Sequence, residues 1–190
     1  FAYVVFVVAG VALLPAYLTG AMFLSNLLHR KLPPRFHPGC RPVSVIVCAR
    51  NEEKGIYGTI GSIARQEYDE RVTILCVDNG STDESLEQAR SYCTRPNFTL
   101  IENGRNTGFS HAVNQGIARA KSEFVVLFNN DAFAEPQWLA ELIRTAETDP
   151  RIFAVQSLMI RHFDRELADD AGDYVTWMGF ACKTGDGRRA

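Results

Sequence analysis

The sequence predicts an α/β protein, with a mostly parallel β-sheet covered by helices on both faces and preceded by one transmembrane helix. Short runs of β-branched and aliphatic residues recur along the chain, and segments with helical spacing separate them. This alternation is typical of β-α-β units, whose strands are buried on both faces of the sheet. The first 28 residues contain no charged side chain, and their length exceeds the ~20 residues that a helix needs to cross a bilayer.

The apolar runs predicted as strands are residues 43–48, 72–77, 98–101, 124–128 and 153–159. The segments predicted as helices are residues 56–66, 81–93, 110–120 and 136–147. Ser81 and Glu84 have the spacing of a capping box and are expected to begin the second helix, while Pro136 suits the first turn of the fourth. Right-handed crossovers place the carboxyl ends of parallel strands along one edge, so the polar turns after the first, second and fourth strands should meet there.

The chain is predicted to have three parts, which are a transmembrane anchor at residues 1–28, a basic, proline-rich linker at 29–42 and a folded domain at 43–190. The linker holds four Arg and Lys residues and no acidic residue. The positive-inside rule therefore predicts a cell-membrane protein whose domain lies on the cytoplasmic side. The folded domain holds 16 of the 20 basic residues and all 22 acidic ones, and this formal charge of −6 argues against nucleic-acid binding.

A carboxylate directly follows the second predicted strand. Asp78 comes after the apolar run at 72–77 and before the turn signal Asn79-Gly80. A carboxylate fixed at that position can accept hydrogen bonds from the N–H of a nucleotide base or from ribose hydroxyls. The alternative is that Asp78 only caps its own turn, because Asp and Asn are common turn residues.

A second acidic turn, Asn129-Asn130-Asp131, follows the fourth predicted strand. Mg²⁺ and Mn²⁺ ease the departure of a nucleoside diphosphate, and Mg²⁺ takes its oxygen ligands from one or two carboxylates, phosphates and water. Asp131 is the main predicted metal ligand, and Asn129 can add its carbonyl oxygen directly or through water. The alternative is a plain turn with Asn and Asp at their usual positions.

Several ordered motifs connect these turns. They are residues 45–53 (VIVCARNEE), 77–83 (VDNGSTD), 106–108 (NTG), 112–117 (AVNQGI) and 127–132 (LFNNDA). In this order and at these spacings, the stretch from Val43 to about Val155 resembles the inverting nucleotide-sugar glycosyltransferases of family 2, which have the GT-A fold. The Asn-Asn-Asp triplet and the pair Asp78-Asn79 are most similar to the rhamnosyltransferase-like branch of that family.

The resemblance implies roles for the turns. The residues that it implies for binding of the nucleotide-sugar donor are Ala49, Asn51, Glu52, Asp78, Asn79 and Gly108. For Asn79-Gly80, the residues alone favour backbone turn chemistry over contact with a ligand. Asn129 and Asp131 stand where the family has its Asp-x-Asp metal motif, with Asn in place of the first Asp, and the implied cofactor is Mg²⁺ or Mn²⁺.

The implied function is transfer of a sugar from a nucleotide-sugar donor to a lipid-linked or cell-envelope saccharide acceptor, by a metal-assisted inverting displacement. In the family a carboxylate base removes the proton of the acceptor, and it lies beyond the metal motif in the chain. We assign no residue of this sequence to that role. Residues 183–190 end without a closing strand or helix, which predicts a truncated chain and a catalytic base beyond Ala190.

Three other functions fit parts of the pattern. A non-catalytic, membrane-tethered scaffold that keeps the nucleotide-sugar fold is favoured by Asn129 and by the missing base. A nucleotidyltransferase would need a Gly-rich phosphate loop with a Lys after the first strand, and residues 49–55 lack that pattern. A processive polysaccharide synthase would share the donor site and would need further membrane helices.

Overall fold

The computed structural model describes residues 41–68, 71–176 and 180–189. These residues belong to two compact units, one with the described residues up to Thr145 and one with residues 146–189. The predicted membrane anchor at 1–28 and all but the last two residues of the linker at 29–42 lie outside the described residues. Within the described ranges, no helix combines the length and the apolar character needed to cross a membrane.

The first unit contains a four-stranded sheet with the spatial order β3-β2-β1-β4, in which every neighbouring pair is parallel. Its strands are β1 (Val43–Ala49), β2 (Val72–Asp78), β3 (Phe98–Glu102) and β4 (Phe124–Phe128). The first four predicted strands are therefore confirmed to within about one residue at each end. The register pairs Ala49 with Asp78 on one side of β1 and Val47 with Phe128 on the other.

Helices cover both faces of this sheet, as the sequence predicts. They are α1 (Ile56–Ala64), α2 (Ser85–Arg90, continued by a 3₁₀ turn at Ser91–Thr94), α3 (Phe109–Arg119) and α4 (Trp138–Ala146). On one face, α1, α2 and α4 form a buried core with the three odd-numbered valines of β1. On the other face, Ala112 of α3 packs with Val77 and Ile101.

The cover of β4 is incomplete among the described residues. One side of this strand packs on the α4 core, where the rings of Phe128 and Trp138 meet edge to face with centroids 4.9 Å apart. On the other side, Val125 and Leu127 are 40% and 56% exposed, because α3 lies over β1 and β2. The continuous apolar run of β4 predicts a strand correctly, but one of its faces is half-buried and the other is exposed among the described residues.

The second unit contains two short antiparallel pairs instead of the predicted fifth strand. The pairs are β5 (Met159–Ile160) with β6 (Ala168–Asp170), and β7 (Asp173–Val175) with β8 (Ala181–Lys183). The prediction of a strand over 153–159 is wrong, because residues 153–158 have no regular structure and Phe153 is 99% exposed. Apolar composition alone does not make a strand, since its backbone groups also need a partner strand.

The predicted start of the second helix is also wrong. The capping box at Ser81 and Glu84 does not form, and α2 begins at Ser85 with Glu84 as its N-cap. The hydroxyl of Ser81 instead accepts a hydrogen bond from the backbone N–H of Asn51, on another loop. A local capping pattern is therefore overridden by a contact 30 residues away in the chain.

Candidate functional site

Loops follow all four strands at the carboxyl edge of the sheet. We name the loops after β1, β2, β3 and β4 as L1 (50–55), L2 (79–84), L3 (103–108) and L4 (129–134). L1 touches both L2 and L4: the N–H of Asn51 donates to Ser81 Oγ at 3.1 Å, and a Cβ added at Gly55 would contact the Asn130 carbonyl oxygen at 3.4 Å. Neighbouring strands are ~4.8 Å apart, so the ends of β2 and β4 on either side of β1 are roughly 10 Å apart. Asp78 and Asp131 therefore belong to the same edge of the sheet.

The carboxylate of Asp78 has two oxygens in different situations. Asp78 is 2% exposed, and Oδ2 accepts hydrogen bonds from the N–H groups of Gly80 (3.1 Å) and Ser81 (3.2 Å). Oδ1 is buried and accepts no hydrogen bond within the described residues. A buried acceptor without a partner costs about 1–3 kcal/mol. Turn capping explains Oδ2, whereas Oδ1 has no hydrogen-bond donor within the described residues.

L1 and L2 are interlocked by hydrogen bonds that run in both directions. Consecutive N–H groups of L1 donate to side chains of L2 and α2: Asn51 to Ser81 Oγ (3.1 Å), Glu52 to Ser85 Oγ (2.6 Å) and Glu53 to Asp83 Oδ2 (3.2 Å). In return, the N–H of Thr82 donates to Asn51 Oδ1 (2.9 Å) and that of Glu84 to Glu53 Oε2 (3.2 Å). The two loops therefore form one hydrogen-bonded unit.

The predicted residues at the end of β1 and in L1 take different parts in this unit. Asn51 has φ 55°, the one positive φ at a non-glycine residue within the described ranges, and Asn tolerates that conformation. Ala49 is buried, and its carbonyl oxygen accepts the N–H of Asn79 at 2.8 Å. The Glu52 carbonyl accepts the N–H groups of Gly55 and Ile56. The structure thus places all three residues at the site edge, and the Asn51 side chain shapes the loop.

Asp83 is an acceptor for both L1 and the start of α2. Its Oδ1 accepts the N–H of Ser85 at 3.0 Å, beside the Oδ2 contact with Glu53. Partial desolvation opposes ionisation, but the hydrogen bonds from Ser85 and Glu53 together hold the pKa of Asp83 below its ordinary value. Asp83 is therefore a carboxylate at neutral pH, and it accepts the N–H of Ser85, the first residue of α2.

L3 connects L2 to α3. The N–H of Asn103 donates to the Asp78 carbonyl at 3.0 Å, and the N–H of Thr107 donates to Asn79 Oδ1 at 3.0 Å. Gly108 precedes α3 with φ 86° and ψ 154°, a conformation that glycine adopts without strain. A Cβ there would meet nothing within 4 Å, so the backbone conformation, not lack of space, is what calls for glycine. Of the predicted donor-binding residues, Asn79 is 6% exposed and its amide is bonded to L3.

The predicted metal ligands lie on L4. Asn129 and Asp131 are exposed, and their side chains make no hydrogen bond or ion pair with described residues. The hydroxyl of Thr59 on α1 lies 3.0 Å from the carbonyl oxygens of both Asn130 and Ala132, which fixes the course of L4. No group of three or more His, Cys, Asp or Glu side chains suited to a metal ion occurs among the described residues. One carboxylate and one amide oxygen fit a hard cation whose remaining ligands are phosphate and water.

Two of the late acidic residues, Asp169 and Asp170, have partners within the second unit. Asp169 Oδ2 is 3.2 Å from Lys183 Nζ, and Asp170 Oδ1 accepts the N–H of Gly172 at 2.8 Å. Both contacts stabilise short strands and turns. As in the sequence analysis, we assign no residue to the role of catalytic base among those that the structure describes.

The catalytic base predicted to lie beyond Ala190 falls outside the described residues, the last of which is Arg189. No contact of the structure therefore tests the position of the base, which stays a prediction. Two described carboxylates at the sheet edge have other parts in the fold: Asp78 caps its turn, and Asp83 joins L1 to α2.

The sequence patterns do not predict which residues join the loops to one another. These residues are Ser81, Asp83 and Ser85 between L1 and L2, and Asn103, Asn106 and Thr107 between L2 and L3. Their side chains bond to backbone or to each other across loops that are distant in sequence. The available signal is the density of Asn, Ser, Thr and Asp in both turns, which indicates polar networks but not their partners.

The structure thus combines a parallel α/β sheet with acidic loops at one edge, and residues 44–180 match the family model "Glycosyl transferase family 2". Because this match covers most of the chain, the protein belongs to that family, and its sheet and helices are GT-A-like.

Individual relatives agree with this membership. The chain is 30% identical over 138 residues to an uncharacterized glycosyltransferase of Haemophilus influenzae, covering 72% of this chain and 42% of that protein. It is 32% identical over 107 residues to a cholesterol galactosyltransferase of Borreliella burgdorferi, covering 56% of this chain and 30% of that protein. A mannosyltransferase of Pyrobaculum calidifontis, solved with GDP-Man and Mn²⁺, matches with a TM-score of 0.59 and 28% identity over 77% of this chain and 46% of that one. The chain thus spans less than half the length of these proteins.

Proposed function

We propose that this chain binds a nucleotide-sugar donor and forms the donor-binding part of a glycosyltransferase that inverts the anomeric centre. The observation that carries the proposal is the buried Asp78 Oδ1, which has no hydrogen-bond partner within the described residues and lies at the edge that also holds L4. A base N–H or a ribose hydroxyl would supply the missing hydrogen bond. The Pyrobaculum protein, solved with GDP-Man and similar in fold, supports this assignment.

Each loop has a part in the proposed site. Asp78 accepts a hydrogen bond from the base or the ribose, and Ala49 at the end of β1 forms the side of the pocket together with Asn51 and Glu52 of L1. Asn129 and Asp131 hold a divalent cation, Mg²⁺ or Mn²⁺, through oxygen atoms. When bound, that cation would neutralise the charge that develops on the diphosphate leaving group.

We further propose a lipid-linked or cell-envelope saccharide acceptor, a place at the cell membrane with the domain on the cytoplasmic side, and membership of the rhamnosyltransferase-like branch. The uncharged segment 1–28 and the basic linker support the membrane location. The relative named a cholesterol galactosyltransferase supports an acceptor with a lipid part. The Asn-Asn-Asp triplet and the pair Asp78-Asn79 support the branch.

Titration calorimetry with UDP, GDP and dTDP, with and without Mn²⁺, tests donor binding. We expect at least one nucleotide to bind, with an affinity that Mn²⁺ raises about tenfold or more, equivalent to about 1.4 kcal/mol. Asp131→Ala should remove the Mn²⁺ dependence because it deletes the one carboxylate of the triplet. Asp149→Ala, which removes an exposed ion pair with Arg151 in the second unit, is the control and should leave the titrations unchanged. Absence of binding by every nucleotide, or an unaltered Mn²⁺ response in Asp131→Ala, contradicts the proposal.

A second candidate is a scaffold that binds the nucleotide without turnover. The residue that favours it is Asn129, because a neutral amide replaces a carboxylate in the metal triplet. Release of nucleoside diphosphate from a nucleotide sugar by the full-length protein in native membranes distinguishes the two. Turnover rejects the scaffold, and donor binding without turnover supports it.

A further inference from the structure

We infer that Asn79 is a positioning residue for the donor site: its carboxamide clamps L3 onto the turn that carries Asp78. Three donors converge on Asn79 Oδ1, which are the Thr107 N–H (3.0 Å), the Thr107 hydroxyl (2.7 Å) and Asn103 Nδ2 (3.2 Å). Asn79 Nδ2 donates to Asn106 Oδ1 at 3.0 Å. The carboxamide is thus bonded on both sides to L3, which assigns it to the architecture of the site rather than to contact with the donor.

The contacts of Asn79 continue to α3. Asn106 Oδ1 also accepts the N–H of Gly108 at 3.0 Å, and Asn103 Nδ2 donates to Gln115 Oε1 on α3 at 2.8 Å. Each member therefore bonds at least one other member, and the set joins L2, L3 and α3. Because half-buried polar groups of this kind are costly to leave unpaired, removing Asn79 affects all of them together.

The clamp acts on the Asp78 turn directly. The N–H of Asn103 donates to the Asp78 carbonyl, and a Cβ at Gly80 (φ 74°) would overlap the backbone of Arg105. L3 therefore lies against Gly80, whose own N–H donates to Asp78 Oδ2. Loosening L3 would release this turn and with it the orientation of Asp78 Oδ1. This role in donor binding rests on the function proposed above.

The test compares Asn79→Ala with Asn97→Ala. Asn97 Nδ2 donates to the Val72 carbonyl at 3.0 Å, so it links β3 to β2 at the opposite edge of the same sheet and is a matched control for lost stability. Hydrogen exchange of L3 amides and calorimetric titration with the nucleotide that the unmodified chain binds are measured on both variants. We expect Asn79→Ala to speed exchange at Asn103 and Thr107 and to weaken nucleotide affinity about tenfold. We expect Asn97→Ala to lower the thermal midpoint while L3 exchange and nucleotide affinity stay unchanged.

The outcomes separate this inference from the proposed function. If the unmodified chain binds no nucleotide, the proposed function fails. If it binds and Asn79→Ala binds equally well, or if L3 exchange is the same in Asn79→Ala as in the unmodified chain, the inference is wrong. If both variants lose affinity in proportion to their lost stability, Asn79 has only a structural role and the inference is also wrong.

Discussion

Replacing Asp78 by Asn should separate ligand binding from stability. The variant keeps one oxygen to accept the N–H groups of Gly80 and Ser81, and it changes the buried, unpartnered Oδ1 into an NH₂ group. A base N–H that would approach Oδ1 then meets another donor, and a ribose hydroxyl loses its charged acceptor. A hydrogen bond to a charged group contributes about 1.5–3 kcal/mol, so the loss corresponds to a nucleotide affinity about 10- to 150-fold weaker.

The folding stability of the unliganded chain should change little. An unpartnered buried amide takes the place of an unpartnered buried carboxylate oxygen, so the two desolvation costs roughly cancel. The substitution also removes a buried negative charge, and burial together with this charge raises the pKa of the neighbouring Cys76 thiol. We therefore expect the free energy of unfolding of Asp78→Asn to stay within about 1 kcal/mol of the unmodified chain, or to rise.

Urea unfolding and nucleotide titration on the same preparations measure both quantities. Asp149→Asn, which weakens an exposed ion pair, is the control and should change neither. The reasoning is refuted if Asp78→Asn lowers stability by more than about 2 kcal/mol while nucleotide affinity is unchanged, since Asp78 would then act only as a turn residue.

Two further predictions concern stability. Gly116→Ala should lower the free energy of unfolding by about 1–3 kcal/mol because the new Cβ lies 2.6 Å from Ile46 Cγ2 in the buried face of the sheet. The control Gly61→Ala should be nearly neutral, since its Cβ meets the Tyr92 hydroxyl and the end of the Arg65 side chain. Equal losses of stability for the two variants in urea unfolding would contradict the packing argument. The chain should lose stability in acid: hydrogen bonds from Arg90 lower the pKa of Glu102, and those from Ser85 and Glu53 outweigh desolvation at Asp83. Because both folded-state pKa values lie below the unfolded ones, this stabilisation is present above about pH 4.5 and is lost as the pH falls through the folded-state values. Urea unfolding at about pH 3 and about pH 6 measures the loss of stability. The double variant Asp83→Asn, Glu102→Gln should show a smaller difference in the free energy of unfolding between the two pH values.

The sequence predicts the four strands of the sheet well because a short, local run of residues indicates each of them. β1 and β2 are continuous β-branched runs bounded by polar turns, and a parallel strand buried on both faces has that composition wherever it occurs. The run at 153–159 has similar apolar content but forms no strand over 153–158, because pairing depends on a neighbouring strand that local composition does not encode. The four runs that form strands and the run that does not are therefore distinguished by the presence of a neighbouring strand. Their apolar sequence patterns are similar.

The sequence predicts which loops meet at the site. It does not predict which side-chain atoms already have hydrogen-bond partners within the protein. Asp78 at the end of a strand is visible in the sequence, while the separate situations of its two oxygens depend on the fold of L2. Ser81 matches a capping box, but the approach of Asn51 gives its hydroxyl a different partner. Asn79 is expected either to shape the turn or to bind the donor, and the structure shows that its amide bonds L3.

The interlock of L1 and L2 also bears on how the site can hold a diphosphate. In phosphate-binding loops, successive backbone N–H groups point at the ligand. Here the N–H groups of Asn51, Glu52 and Glu53 donate to Ser81, Ser85 and Asp83, so L1 cannot offer them to a phosphate without losing its contacts with L2. The same edge carries the carboxylates of Asp78, Asp83 and Asp131, which repel an anion. A cation held by Asn129 and Asp131 on L4, as proposed above, would neutralise part of the charge of a bound diphosphate, in addition to the exposed basic side chains Arg50, Lys54 and Arg105 of L1 and L3. This geometry gives a physical reason to expect nucleotide binding that depends on Mn²⁺ and on Asp131.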